Sequence, residues 1–240
     1  ASEATIQPLF PSDYEAALAT LCTEVGGKAW GHTGATAAYS EDGFIGDEEE
    51  LLIWLNRMGA SGHTAALDAS TMKETWSEIA ETAYTGMMEA TGNGYVYFEV
   101  SVNGEPIGRL VFELFRGLAP KTCDNFEALC TGSKGKHKSG VRLHYLDTPI
   151  HRIKADGWIQ AGDIVSGNGE GGICAVGKSL PDESFAMSHD RSGILGMANT
   201  GRHSATSQFY VTLGPNLSFD RTYVAFGRLI DGSAVLDTIG

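Results

Sequence analysis

Residues 151–163 read HRIKADGWIQAGD, a His-Arg pair followed by a short polar loop, an aromatic residue and a glutamine that heads into a small-residue strand. Arg152 lies between two strand-like pieces, PI before it and WIQAGDIV after it. A guanidinium is seldom buried without a partner, so one on the inner edge of β-structure needs a task. The plain structural reading is an ion pair with Asp156 or Asp163, both near in sequence. Other candidate chemistry is thinner. Cys22, Cys123, Cys130 and Cys174 show no CxxC spacing and no paired spacing with histidine, so neither a zinc site nor a disulfide framework is expected. Cys123 and Cys130 fall on a predicted helix, where core packing accounts for them. GNGEGG at 167–172 resembles a dinucleotide fingerprint only on the surface, because no βαβ unit surrounds it, and it reads as a flexible loop. Seven histidines are scattered without ligand spacing, and no metal or cofactor is expected.

The charge is uneven along the chain. Residues 1–93 hold 15 acidic side chains against Lys28, Arg57 and Lys73, while residues 94–240 hold 15 acidic and 14 basic ones. That contrast divides the chain into an acidic front and a nearly neutral remainder. A net charge of −13 speaks against generic binding to nucleic acid or anionic membrane, and no stretch is long or apolar enough to span a bilayer. Unpaired cysteines fit an intracellular, cytoplasmic setting. The start at Ala1 without a methionine points to a processed or partial chain.

The elements that must position Arg152 begin far upstream. TIQPLF (5–10) reads as a short strand. A helix follows in SDYEAALATLCTEV, with Ser12 and Glu15 as a capping box and Gly26-Gly27 as its stop. ATAAYS and GFIG read as two short strands, and a second helix starts at Asp47, carries Leu51, Leu52, Trp54, Leu55 and Met58, and ends at Gly59. Residues 60–93 contain a helical stretch with Trp76, Ile79, Ala80, Ala83 and Met87 at helical spacing, closed by TGNG. From Tyr95 the period becomes two: YVYFEVSV and IGRLVFELF alternate about NGEP, a hairpin signal. A helix with Pro120 in its first turn comes next, and strands are expected at 149–153, 158–165, 194–199, 207–213 and 223–230. Many short strands with two helices predict a closed or nearly closed β-barrel.

VYFEVSVNGEPIGRLVFELF, APKTCDNFEALCTG, IHRI…IQAGD, GILGMANTGRHSATSQFYVTL and VAFGRLIDG fall in one order over residues 94–240, and together they resemble a cyclophilin. VRLHYLDTPIHRIKADGWIQAGDIV is most similar to a divergent subgroup, peptidyl-prolyl isomerase-like 6. The front segment, through GFIGDEEELLIWL, resembles the second half of a thioredoxin or glutaredoxin, as in that subgroup. The expected architecture is therefore mainly β. A partial α/β thioredoxin-like module (1–59) and a helical linker (60–93) precede a cyclophilin-like barrel with two capping helices (94–240).

The resemblance implies a peptidyl-prolyl cis-trans isomerase, without cofactor, acting on Xaa-Pro bonds of protein clients. Arg152 matches the family's catalytic arginine, Gln160 the glutamine that orients it, and His151 a structural histidine. Ala198, Asn199 and Gln208 match groove positions, and Thr200 replaces a smaller residue. Other positions depart. Gly157 stands where Phe is usual, Trp158 for Met, Tyr210 for Phe, Ser218 for the groove Trp, Phe219 for Leu and Tyr223 for His. A one-residue loop shift would let Trp158 fill the aromatic volume missing at Gly157. Activity is expected to be attenuated, and strong cyclosporin binding is not expected with Ser218. The family's last strand follows the helix that starts near Ser233, so within Gly240 the barrel lacks its closing strand, and further chain or a partner would cover that edge. The competing expectation is a non-catalytic peptide clamp docked in a multi-protein complex. Membership of a ciliary subgroup would place it in an axoneme.

Overall fold

The computed structural model describes residues 7–25, 27–34, 36–40, 43–57, 82 and 84–240. They divide into two compact units, Ala1–Ala90 and Thr91–Gly240.

In the first unit, residues 7–10 form no strand, so that part of the expected 5–10 strand is absent. Phe10 is instead buried and meets the Tyr84 ring edge-on at 5.2 Å. Helix α1 runs Pro11–Val25. It opens on the proline, whose fixed φ suits a first helical position, so Ser12 lies inside the helix rather than at its cap position. Strands β1 (Ala38–Ser40) and β2 (Gly43–Gly46) pair antiparallel. Helix α2 spans Glu48–Arg57, and Asp47 caps it by accepting the amides of Glu49 (3.0 Å) and Glu50 (3.1 Å). A further helix, α3, covers residues 84–91 and includes Met87. Met58, Gly59, Trp76, Ile79, Ala80 and Ala83 lie outside the described residues.

The second unit is built on one antiparallel sheet. Its strands are β3 (Gly94–Val102), β4 (Glu105–Leu114), β5 (Arg152–Lys154), β6 (Trp158–Ala161), β7 (Ile194–Met197), β8 (Phe209–Thr212) and β9 (Ala225–Asp231). They are ordered β3-β4-β9-β7-β8-β6-β5. The alternation that marks 95–114 pairs β3 with β4 about Asn103 (φ 53°) and Gly104 (φ 85°), the left-handed pair that a tight hairpin of type I′ requires. Among the described residues β3 and β5 are the ends of the order and share no ladder.

The inward faces bury Leu110, Phe112, Leu114, Ile159, Leu195, Val211, Phe226 and Leu229. Helix α4 (Pro120–Thr131) sets Phe126 among them, within 5.1–5.9 Å of the Phe98, Phe209 and Phe226 rings. Ala119 cannot cap α4, so Glu183 from a distant loop accepts the amides of Lys121 and Thr122 at 3.1 and 2.8 Å. Gly132, with φ 66°, ends the helix in the left-handed conformation. Helix α5 (Ser233–Ile239) buries Leu236 in the same core. Glu113, buried at 3% exposure, ties β4 to β9 through Arg228 Nε (2.9 Å) and to the start of β3 through Asn93 Nδ2 (2.9 Å). None of the described helices is long and apolar enough to cross a membrane.

Candidate active-site groove

Register decides which side chains share a face, because direct partners in an antiparallel sheet project to the same side. Arg152 pairs with Gln160, Gln160 with Tyr210, and Tyr210 with Gly196, so these four form one row across β5, β6, β8 and β7. Lys154, Trp158 and Thr212 form the next row on that face. The opposite face carries Ile159, Val211 and Leu195, which are core residues. The sequence places Arg152 on the outer face, beside the core.

Four aromatic side chains and one buried imidazole build the groove. Phe219 ends the 3-10 turn Leu217–Phe219, and Tyr223 follows, its amide donating to the Phe219 carbonyl at 3.0 Å. The Phe219 ring lies 4.9 Å from Trp158, 5.1 Å from Tyr210 and 4.7 Å from Tyr223. Tyr210 and Tyr223 meet edge-on at 5.8 Å. Trp158 thus supplies aromatic volume to the wall. The place of Gly157 is taken differently. A Cβ there would sit 3.1 Å from Lys154 Cδ and 3.2 Å from its Cγ, so the lysine stem covers the buried glycine. Lys154 Nζ then reaches the Trp158 ring, 4.7 Å from its centroid, and Arg152 Cζ lies 5.2 Å from the same ring.

The expected partners of Arg152 are engaged elsewhere. Gln160 Nε2 donates to Gln208 Oε1 (2.8 Å), and Gln208 Nε2 donates to the carbonyls of Gly169 (2.8 Å) and Gly171 (2.6 Å). No hydrogen bond joins Gln160 to Arg152; the guanidinium only donates, so it would need the Gln160 Oε1, which the bond to Gln208 leaves open. Asp163 does not pair with Arg152 either. Its carboxylate accepts the amides of Val165, Ser166, Asn168, Gly169 and Gly171 and the Ser166 hydroxyl. Burial alone would raise its pKa, but the bonds from Ser166, Gly171 and Val165 outweigh burial and hold it well below the usual carboxylate range. Asp156, at φ 57° in the β5–β6 turn, makes no ion pair, and among the described residues no carboxylate lies within salt-bridge distance of Arg152.

Beneath the floor runs a polar chain that sequence reasoning missed. The Tyr210 hydroxyl bonds to His189 Nε2 (2.6 Å), and His189 Nδ1 bonds to Asp220 Oδ1 (2.7 Å). Burial, then the nearby Tyr223 and Asp220, push the Tyr210 phenol upward, so it stays protonated. The His189 side chain, its amide and Ser188 lower Asp220. The signals were SHD at 188–190 and a tyrosine between apolar strand residues, but only the fold joins them.

Among the remaining expected groove residues, the Ala198 amide donates to the Gln208 carbonyl (3.0 Å) and Asn199 Nδ2 to the Thr222 carbonyl (3.1 Å), beside Tyr223. Thr200 turns to Ser204, and Ser218 is exposed and bonded to Asn216. His151 packs against Gly169 with both ring nitrogens buried and unbonded. Among the described residues no three His, Cys, Asp or Glu side chains converge as a metal-ligand set.

A family model described as cyclophilin type peptidyl-prolyl cis-trans isomerase/CLD matches residues 97–240. The human and the Bos taurus proteins named "Probable inactive peptidyl-prolyl cis-trans isomerase-like 6" are each 38% identical over 215 residues, covering 89% of this chain and 67% of theirs. The Mus musculus protein of that name is 37% identical over 213 residues, covering 89% of this chain and 66% of its own length. The chain thus spans about two thirds of the length of these relatives. The match runs from β3 to α5 and takes in the whole Arg152 row, and by it the chain belongs to the cyclophilin-type peptidyl-prolyl cis-trans isomerase family.

Proposed function

We propose that residues 91–240 catalyse cis/trans rotation of Xaa-Pro bonds in protein clients. The observation that carries this reading is the Arg152 guanidinium, which has no carboxylate partner among the described residues and stands in line with Gln160 and Tyr210 beside the Trp158–Phe219–Tyr223 wall. Amide resonance sets an uncatalysed barrier of about 18–20 kcal/mol. Shortening a process of tens of seconds to milliseconds takes roughly 5–6 kcal/mol of binding reserved for the transition state. A guanidinium donating toward the prolyl nitrogen stabilises its pyramidal, less conjugated form, and the apolar wall holds the ring while the preceding carbonyl swings. No bond is made or broken. NMR exchange spectroscopy on a short Ala-Pro peptide tests this: catalysed exchange should fall roughly 100-fold or more with Arg152→Ala, the usual loss for one transition-state donor. Equal exchange with and without the protein would remove the enzyme reading.

A second reading, a peptide clamp within a larger assembly, is favoured by two observations. The relatives carry "inactive" in their names, and here no hydrogen bond joins Gln160 to Arg152. A clamp shifts peptide resonances without faster exchange. In either reading the acidic unit of residues 1–90 serves as the docking module. The β1-β2-α2 order supports a partial thioredoxin-like piece there.

A further inference from the structure

We infer that the groove selects Xaa-Pro segments carrying an anionic side chain within two residues of the proline, and that Lys154, together with Arg152, reads that charge. The inference rests on the Xaa-Pro reading of the groove given above.

Lys154 and Arg152 alternate on β5 and share its outer face, both exposed. Neither has a carboxylate within salt-bridge distance among the described residues. Both are held on one indole, at 4.7 Å for the ammonium and 5.2 Å for the guanidinium carbon. Two like charges gathered on a single ring repel each other, and an anion between them relieves that repulsion. Two nearby carboxylates are committed elsewhere, Asp163 to its loop amides and Asp220 to His189 and Ser188, and Asp156 in the adjoining turn pairs with neither cation. The pair also stands out against a chain of net charge −13.

Residues i and i+2 of a strand lie about 7 Å apart, and an extended peptide advances about 3.3 Å per residue. With the proline at Arg152, Lys154 is level with a client residue one or two positions away. The anion is a carboxylate or a phosphate. A phosphate dianion, with more charge and more acceptor oxygens, gains more from two cations.

The test uses the full 240-residue chain and four peptides that differ only before the proline: Glu, phosphoserine, Ala and Lys. Dissociation constants come from NMR titration at low and high salt. The Glu-Pro peptide should bind about threefold tighter than Ala-Pro, as expected for an exposed charge pair, and Lys-Pro should bind weakest. The spread should shrink as salt rises. In Lys154→Met, which keeps an unbranched stem over Gly157, the Glu/Ala ratio should fall toward one. A phosphoserine gain well above that of Glu assigns phosphate as the natural source, and equal gains assign the carboxylate. Equal binding of Glu-Pro and Lys-Pro overturns the selection and leaves the Xaa-Pro reading standing. A Glu/Ala ratio unchanged in Lys154→Met overturns the role of Lys154. Absence of binding by all four overturns both.

Discussion

Tyr210 meets one constraint that a phenylalanine at its position would not, and a second that its hydroxyl only tightens. Its hydroxyl is the partner of His189 Nε2, on a side chain with no exposed surface, and it occupies the space that a Cβ on Gly196 would need. Tyr210→Phe therefore leaves a buried imidazole nitrogen unbonded, which costs about 1–3 kcal/mol and should show in urea unfolding. Gly196→Ala should destabilise the tyrosine chain more than the phenylalanine one, a coupling that a double-mutant cycle reads directly. At this scale the sequence discloses residue identities better than partnerships. Arg152, Gln160 and Tyr210 are legible from their motif. Lys154, His189 and Asp220 are not, since what each touches depends on the space at Gly157 or on contacts across 21 and 31 positions. Gln160 shows the same limit: its place was legible, its partner was not.

Between β6 and β7 the chain has little regular structure, and Asp163 organises its start. By holding the amides of residues 165–171 it aims the Gly169 and Gly171 carbonyls at Gln208, and through Gln208 it fixes Gln160. Because the folded-state pKa lies below the unfolded one, this contribution is fully present above the ordinary carboxylate range. It is lost as pH falls below about 4 toward the folded value. Wild-type stability should therefore decline in acid, and Asp163→Asn should be less stable at neutral pH and flatter below pH 4, as read by denaturant unfolding across pH. The hairpin of β3 and β4 was legible because alternation and an Asn-Gly turn are local signals. The cap on α4 was not, because Glu183 reaches it from 61 positions away.

Across the whole molecule, the change of charge and the change of period both mark a boundary near residue 93, and the two compact units divide at 90/91. The mainly β character of the second unit was legible from alternation and motif order. Which strands would stand at the ends of its sheet was not, because that depends on long-range ladders that no local pattern encodes. The second unit keeps its thiols out of reach. Burial raises Cys123 to about 12, and Cys130 and Cys174 are raised as well. It also contains one tryptophan, Trp158, since the others stand at 30, 54 and 76. In residues 91–240 expressed alone, all indole emission would arise at the groove wall, against Phe219 and under two cations. An added Xaa-Pro peptide should change its intensity or colour with the affinity found by NMR, whereas unchanged emission during NMR-verified binding would place the peptide elsewhere. The substitution that puts an indole on this wall therefore turns the groove into its own optical reporter, read without label or dye.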